Sequence, residues 1–369
     1  MTSAKAVYSA PTEPLEAGVS PDKVLVIGAT GHVGRIFLEQ GLEMLETTEF
    51  RVLLRNMENA KNLPAGVVCR PGDVRDAQSI REACKGFTRD SLIFDSVTRI
   101  ALTERDDDGS IAAINLQGVI NVVQVAREFG LTLHKAHSNG GLPCPKEGTI
   151  TERTEPSDSD EEAIYAALPY LNAKKEATKY LLRAKAEGLR VMISYLPSPL
   201  GPASRLDSIF NELMKRFVKI GRYCFAKDRA LAYVDARDAA KAHWVAFMNE
   251  IYDDFILSTS AAQQALLDSL ESRLGISLKS QPLTFTTVVF IGRGMDFLKK
   301  WLFKNTVFPV SEATAYLMFA NMAYSSEKAR KILGFQARPV GDTLADHFQD
   351  LVDRNFIESD SEPRVLSIW

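Results

Sequence analysis

Short apolar runs recur along this chain, and behind each of them apolar positions return every three or four residues. The first run, Lys23–Ile27, predicts a strand, and Val33, Ile36, Phe37 and Leu42 behind it predict a helix with one apolar face. Further strands are expected at 50–54, 67–70, 92–94, 131–136 and 189–194. Helices fall between them, including a long one over 111–129 and one that starts near Pro169 and stops at Gly188. Strands that are apolar throughout, alternating with amphipathic helices, predict an α/β chain whose doubly wound parallel sheet carries helices on both faces. Beyond Pro197 the pattern loosens, with helices near 209–218 and 235–248 and a short strand at 254–257. The expected organisation is a flexible tail over 1–22, a nucleotide domain over 23–200 with return segments near 230–260, and a smaller, mostly helical substrate lobe over 201–369, partly discontinuous.

Gly28, Gly31 and Gly34 stand between the first strand and its helix. The spacing suits a dinucleotide-phosphate cradle. One glycine makes the tight strand-to-helix turn, one lets the backbone approach a pyrophosphate, and one lets the helix pack closely on the sheet. The helix start adds unpaired N–H groups and the positive end of a dipole. At the end of the second strand, where an NAD site usually carries Asp or Glu for the ribose hydroxyl, the chain has Arg55, which suits a 2′-phosphate and favours NADP (NADPH).

Tyr170 and Lys174 lie four apart on one expected helix and therefore share a face. A lysine ammonium beside a tyrosine lowers the phenol's pKa from about 10, fitting it for proton transfer. The lysine can also hold a nicotinamide ribose. Upstream, the fifth strand runs into His137-Ser138-Asn139-Gly140-Gly141, where a side-chain donor can polarise a substrate oxygen. Ser138 and Asn139 are both candidates for that position; His137 reads as a loop or core histidine.

Gly28-Ala-Thr-Gly-His-Val-Gly34, Gly72-Asp73-Val74, Asn115-Leu-Gln-Gly118-Val-Ile-Asn121, Tyr170-xxx-Lys174, Pro197-Ser-Pro-Leu-Gly201-Pro202 and Tyr233-Val-Asp-Ala-Arg-Asp238 follow one another in a definite order. Tyr324-Ser-Ser-Glu-Lys-Ala-Arg-Lys-Ile-Leu-Gly334 closes the series. In these motifs the chain resembles the extended branch of the short-chain dehydrogenase/reductase superfamily, over nearly its whole length after the tail. Residues 168–177 are most similar to the 3β-hydroxysteroid dehydrogenase and dihydroflavonol reductase types, and 55–61 to NADP-binding atypical members. The resemblance implies a Rossmann fold, Tyr170 and Lys174 as catalytic residues with Ser138 or Asn139, and a cofactor site of Gly28, Thr30, Gly31, His32, Val33, Gly34, Arg55, Asp73, Val74, Ser96, Lys174 and Pro197. Asp73 and Val74 would meet the adenine, and Pro197 the nicotinamide side. Leu196 stands where many nucleotide-sugar enzymes carry arginine, which disfavours a sugar nucleotide substrate.

The net charge of −3 and the lack of a basic run argue against nucleic acid as a partner. The four cysteines have no metal-like spacing and read as reduced thiols of a cytoplasmic protein. Residues 1–22 lack the apolar core of a signal peptide, and no run reaches the roughly 18 apolar residues of a membrane span. Aromatic and basic residues interleave in Met295-Asp-Phe-Leu-Lys-Lys-Trp-Leu-Phe-Lys304, which reads as a lid helix over an apolar pocket or as a peripheral membrane contact. Phe290, Phe297, Trp301, Phe303 and Phe308 are expected to wall that pocket. Together these features predict an NADP-dependent oxidoreductase acting on a small apolar carbonyl or alcohol substrate, with a homodimer as the family's common assembly. The alternatives are an NADP-binding regulator without turnover and a non-redox epimerase, dehydratase or cyclase.

Overall fold

The computed structural model describes residues 18–100, 108–155, 168–226, 229–274, 277, 279–301 and 312–357. Strands β1 (Lys23–Ile27), β2 (Glu49–Leu54), β3 (Val68–Pro71), β4 (Leu92–Asp95), β5 (Thr132–Ser138) and β6 (Val191–Leu196) join β10 (Asp254–Ile256) in one seven-stranded sheet. Its order is β10-β6-β5-β4-β1-β2-β3, and every pairing in it is parallel. The order reverses at β1, so the carboxyl ends of β1 and β4 flank the crevice where such sheets take ligands.

Alternate residues of each strand enter two different cores, which is why the strands read as apolar throughout. On one face, α1 (His32–Met44) and the later helix Ala236–Met248 cover Val24, Val26, Phe50 and Phe94. Phe37 lies stacked between Phe94 and Trp244, with ring centroids 3.8 and 4.1 Å away, and the Trp244 indole donates to the Phe37 carbonyl at 3.1 Å. On the other face, α2 (Ala77–Ala83), α3 (Gly118–Phe129) and α4 (Pro169–Ala186) cover Leu25, Ile27, Ile93 and Leu133. The helix expected over 111–129 is not uniform. A turn at Ser110–Ala112 leads into a π-type stretch, Ala113–Gln117, before the regular α3.

The later helices are α5 (Ile209–Ile220), α6 (Ala236–Met248), α7 (Gln263–Leu274), α8 (Phe285–Trp301), α9 (Glu312–Phe319), α10 (Glu327–Leu333) and α11 (Val340–Asp353). They alternate with two small sheets. β7 (Ser198–Leu200), β9 (Ala230–Asp235) and β11 (Thr259–Ala262) form one in the order β11-β9-β7, and β8 (Arg222–Ala226) pairs with β12 (Lys279–Leu283) in the other. This part of the chain is mostly helical, as expected, with the two small sheets set between its helices, and its core gathers Leu200, Tyr233, Leu344 and Phe348. Within the stretch assigned to the tail, Val19 donates to the Met248 carbonyl at 3.1 Å and the Asp22 carboxylate accepts from Ser91 and Thr88. Among the described residues, no helix is long and apolar enough to cross a membrane.

Candidate active site

The turn from β1 into α1 divides its work among the three glycines. Gly28 has φ of +93°, in the left-handed region that favours glycine, and a Cβ there would lie 2.7 Å from Ser96 Oγ. A Cβ on Gly34 would sit within 2.3 Å of the Gly28 carbonyl, so the helix can lie this close to the turn only with glycine there. Among the described residues and apart from its chain neighbours and its own helix, a Cβ on Gly31 would meet only the Gly28 carbonyl oxygen, at 3.1 Å, so the backbone there stays open on its outer side. Helix α1 begins with no side-chain cap on its first N–H groups. A short strand, a left-handed glycine and an uncapped helix start fit a dinucleotide phosphate.

The other expected cofactor residues divide into those at this crevice and those turned from it. Ser96 follows β4, its amide donating to the Ile27 carbonyl at 3.0 Å. Thr30 is exposed at the apex of the turn, and Pro197 is buried between β6 and β7. Arg55 is exposed at the end of β2, and its charge reaches Asp73, whose carboxylate receives Arg75 through two bonds of 3.1 and 2.7 Å. The Arg75 guanidinium, chiefly, holds the Asp73 carboxyl below the usual range. Three of the expected cofactor residues have side chains engaged within the protein. Val33 and Val74 are buried in the two cores, with the Val74 carbonyl bonded by Asn121 at 2.8 Å. The His32 ring meets the Pro202 carbonyl at 2.8 Å and so ties the glycine turn to the loop after β7.

The catalytic candidates converge at the ends of β4 and β5. The Tyr170 hydroxyl is hydrogen-bonded to Ser138, and the Lys174 ammonium lies 5.7 Å from the centre of the Tyr170 ring. Ser138 Oγ accepts the Gly140 N–H at 3.0 Å. The turn at Gly140 packs tightly here: a Cβ there would press on the end of the Leu171 side chain at 2.6 Å and lie in ordinary contact with the Tyr170 ring at 3.7 Å. Asn139 lies one step further out: its Oδ1 accepts the Ser138 hydroxyl at 3.4 Å, and its side chain is also hydrogen-bonded with Tyr324. Of the two candidates, Ser138 is thus the one on Tyr170. Lys174 is fully buried, and its ammonium donates to Thr98 Oγ1 at 2.9 Å. His137 is packed into the core, its Nε2 3.0 Å from Thr178 Oγ1 and 3.1 Å from the Lys174 carbonyl.

Burial sets the protonation of this centre. It pushes the Tyr170 phenol up to about 12, with the Ser138 hydrogen bond opposing the rise. The sequence predicts a lowered phenol beside Lys174; desolvation is the larger effect here. Burial likewise holds Lys174 well below the usual lysine range, the nearby Lys135 charge adds to that, and Asp95 offsets part of it.

Several residues packed around this site have no counterpart among the candidate site residues read from the sequence. Asp95 and Lys135 form an ion pair of 2.7 Å, both side chains 2% exposed, directly below the crevice. Asn115 brackets Arg99, accepting from its N–H at 3.2 Å and donating to its carbonyl at 2.7 Å. Leu317 of α9 packs with Leu168, Leu171 and Tyr170. The available signal was charge in a buried strand: Lys135 stands mid-strand in an apolar run, where a lysine needs a partner. Of the expected aromatic wall, Phe290 and Phe297 of α8 are 80% and 63% exposed, and the Trp301 side chain lies outside the described residues. Phe303 and Phe308 lie outside the described residues, as does the end of the 295–304 segment.

The family model described as NAD dependent epimerase/dehydratase family matches residues 24–256. A curated relative, the N-acetyl-alpha-D-glucosaminyl-diphospho-ditrans,octacis-undecaprenol 4-epimerase of Escherichia coli O157:H7, is 30% identical over 113 residues, a stretch that spans 30% of each chain. Among solved structures, gox2253 superimposes with a TM-score of 0.74 at 21% identity, covering 91% of this chain and 100% of its own. The terminal R domain from the myxalamid PKS-NRPS biosynthetic pathway gives 0.72 at 16% identity, covering 94% of each. The UDP-glucose 4-epimerase of Thermus thermophilus, solved with NAD, gives 0.64 at 17% identity, covering 89% of this chain and 98% of its own. At such identities the structural likeness is one of fold.

Proposed function

Because the chain belongs to the NAD dependent epimerase/dehydratase family, we propose that it is an NADP-dependent oxidoreductase interconverting a carbonyl and an alcohol on a medium-sized apolar metabolite. The observation that carries this reading is the convergence of Tyr170, Ser138 and Lys174 at the end of β5, beside the glycine turn. Gly28, Gly31, Gly34 and the start of α1 would hold the pyrophosphate, and Arg55 the 2′-phosphate. The bound nicotinamide would supply or accept the hydride. Lys174 would orient the ribose, and Ser138 would donate to the substrate carbonyl oxygen.

Tyr170 would give its proton to that oxygen as the carbon is reduced, leaving a hydroxyl on the substrate and a phenolate on the enzyme. A phenol held near 12 stays protonated at neutral pH, which suits reduction and makes the reverse reaction favour alkaline conditions. Leu168, Leu171 and Leu317 around Tyr170 support an apolar group next to the reacting carbon.

The second reading is an epimerase or dehydratase, favoured by the activity of the Escherichia coli relative. The same tyrosine and serine would serve there, with the hydride returned to the substrate within one turnover. Following nicotinamide absorbance with NADPH or NADH against a panel of steroid, flavonoid and aryl ketones separates the two. Net oxidation of NADPH in step with alcohol formation is expected. Substrate conversion with no net change in the nicotinamide band would favour the second reading.

A further inference from the structure

The Lys135–Asp95 pair has no part in the chemistry above, yet it lies directly beneath it. Asp95 ends β4 and Lys135 lies beside it in β5, so the parallel register sets the two side by side. Lys135 Nζ donates to Asp95 Oδ2 at 2.7 Å and to the Val97 carbonyl at 3.2 Å, and Asp95 Oδ1 accepts the Val97 N–H at 2.9 Å. Val97 is thereby gripped at both of its backbone polar groups. Asn115 grips Arg99 in the same way, through N–H and carbonyl. Between these two clamps stands Thr98, whose hydroxyl receives the Lys174 ammonium at 2.9 Å.

We propose that the Lys135–Asp95 pair is a positioning element for Lys174, fixing the 96–99 segment that presents Thr98 and placing a second cation within Coulombic reach of the first. A buried ion pair seldom adds stability over apolar residues of similar size, so its presence under a site invites a role in the site. The charged and titratable groups facing Lys174 are Asp95 from β4, Lys135 and His137 from β5, and Tyr170 from its own helix. The Asp95 carboxylate is bonded by Lys135 and acts on Lys174 through its charge. Lys135 depresses Lys174 more than Asp95 restores it, so removing the pair lets Lys174 keep its proton to higher pH.

The inference rests on the proposed nicotinamide site and is tested by binding rather than turnover. NADPH is titrated into wild-type protein and into Asp95→Leu/Lys135→Met between pH 6 and 10, with melting temperature as the check on folding. Apolar replacement of both partners is expected to leave the fold intact. NADPH affinity at neutral pH is expected to fall about tenfold, the scale of one charge-assisted hydrogen bond. The alkaline fall in affinity is expected to move to higher pH, a displacement that a merely structural role would not produce. Hydrogen exchange at Val97 and Arg99 should quicken in the same variant. A folded double variant with wild-type affinity and an unshifted pH profile overturns the proposal. Wild-type protein that binds neither NADPH nor NADH overturns the functional reading first and this one with it. If the double variant does not fold, Thr98→Val, which severs only the last link, takes its place; the same tenfold loss supports the proposal, and unchanged binding overturns it.

Discussion

Phe37 and Phe290 are the same residue type on two helices of this chain, in opposite settings. Phe37 of α1 is fully buried between Phe94 and Trp244, whereas Phe290 of α8 is 80% exposed. The difference extends to their surroundings. Around Phe37, strand alternation, glycine spacing and ring stacking all select one arrangement: a Cβ on Gly41 would lie 2.5 Å from Trp244 and 2.7 Å from Phe50. Helix α8 packs mainly on α9 and keeps Phe290, Ile291 and Phe297 largely exposed. The sheet half therefore fixes where the chemistry stands, and what reaches Tyr170 from the later segments is α9 through Leu317 and Tyr324 through Asn139.

This contrast breaks first at Trp244. Trp244→Ala removes both the stack on Phe37 and the indole donor, and is expected to cost about 3–5 kcal/mol in chemical denaturation. Acid tests burial in both halves through histidines, His134, His137 and His243 in the sheet half and His347 on α11. His134 and His347 are held down to about 3 and about 4 by burial, and His137 and His243 lie well below their usual range for the same reason. The unfolded chain binds more protons below about pH 6.5, so stability is greatest above that value and falls as pH drops toward the folded values. His347 alone contributes about 3 kcal/mol to that loss, since each tenfold drop in proton affinity on folding is worth about 1.4 kcal/mol. Melting curves from pH 7.5 to 4.5 should show a steep decline, and a flat profile would contradict the buried neutral histidines.

Gly34→Ala is a smaller change with a sharper meaning. Its methyl group would push α1 from the turn at a cost of about 1–3 kcal/mol. NADPH affinity should drop with it, whereas an alanine accepted with unchanged binding would show that the close approach is not needed. Phe290→Ser should move stability by no more than about 0.5 kcal/mol. A loss comparable to Trp244→Ala would mean that α8 belongs to a packed wall after all.

Much of the sheet half was legible because its physics is local and periodic. Apolar runs marked the strands, and glycines stood where the turn needs a left-handed residue and a close helix. Tyr170 and Lys174 could be paired because four residues on a helix make one face. Contacts that join distant segments left no such trace. Nothing near Lys135 in the sequence names Asp95, which becomes its neighbour only when β4 and β5 align. His32 read as part of the cradle, yet its ring is bonded to Pro202. The choice between Ser138 and Asn139 depended on the loop at Gly140, which one-dimensional spacing does not determine. The aromatic residues of α8 misled for the opposite reason: apolar content suggested a wall, and only the packing against α9 shows which side of the helix is covered.

Tyr170→Phe is the most direct test of the central claim, since it removes one oxygen and keeps the ring that packs with Ile111, Ala173 and Leu317. NADPH binding and ketone-dependent NADPH oxidation are measured side by side in the variant and the wild type. The expected result is unchanged binding with turnover reduced about a thousandfold, the scale of a lost general acid. Turnover within about tenfold of wild type would contradict Tyr170 as the proton donor.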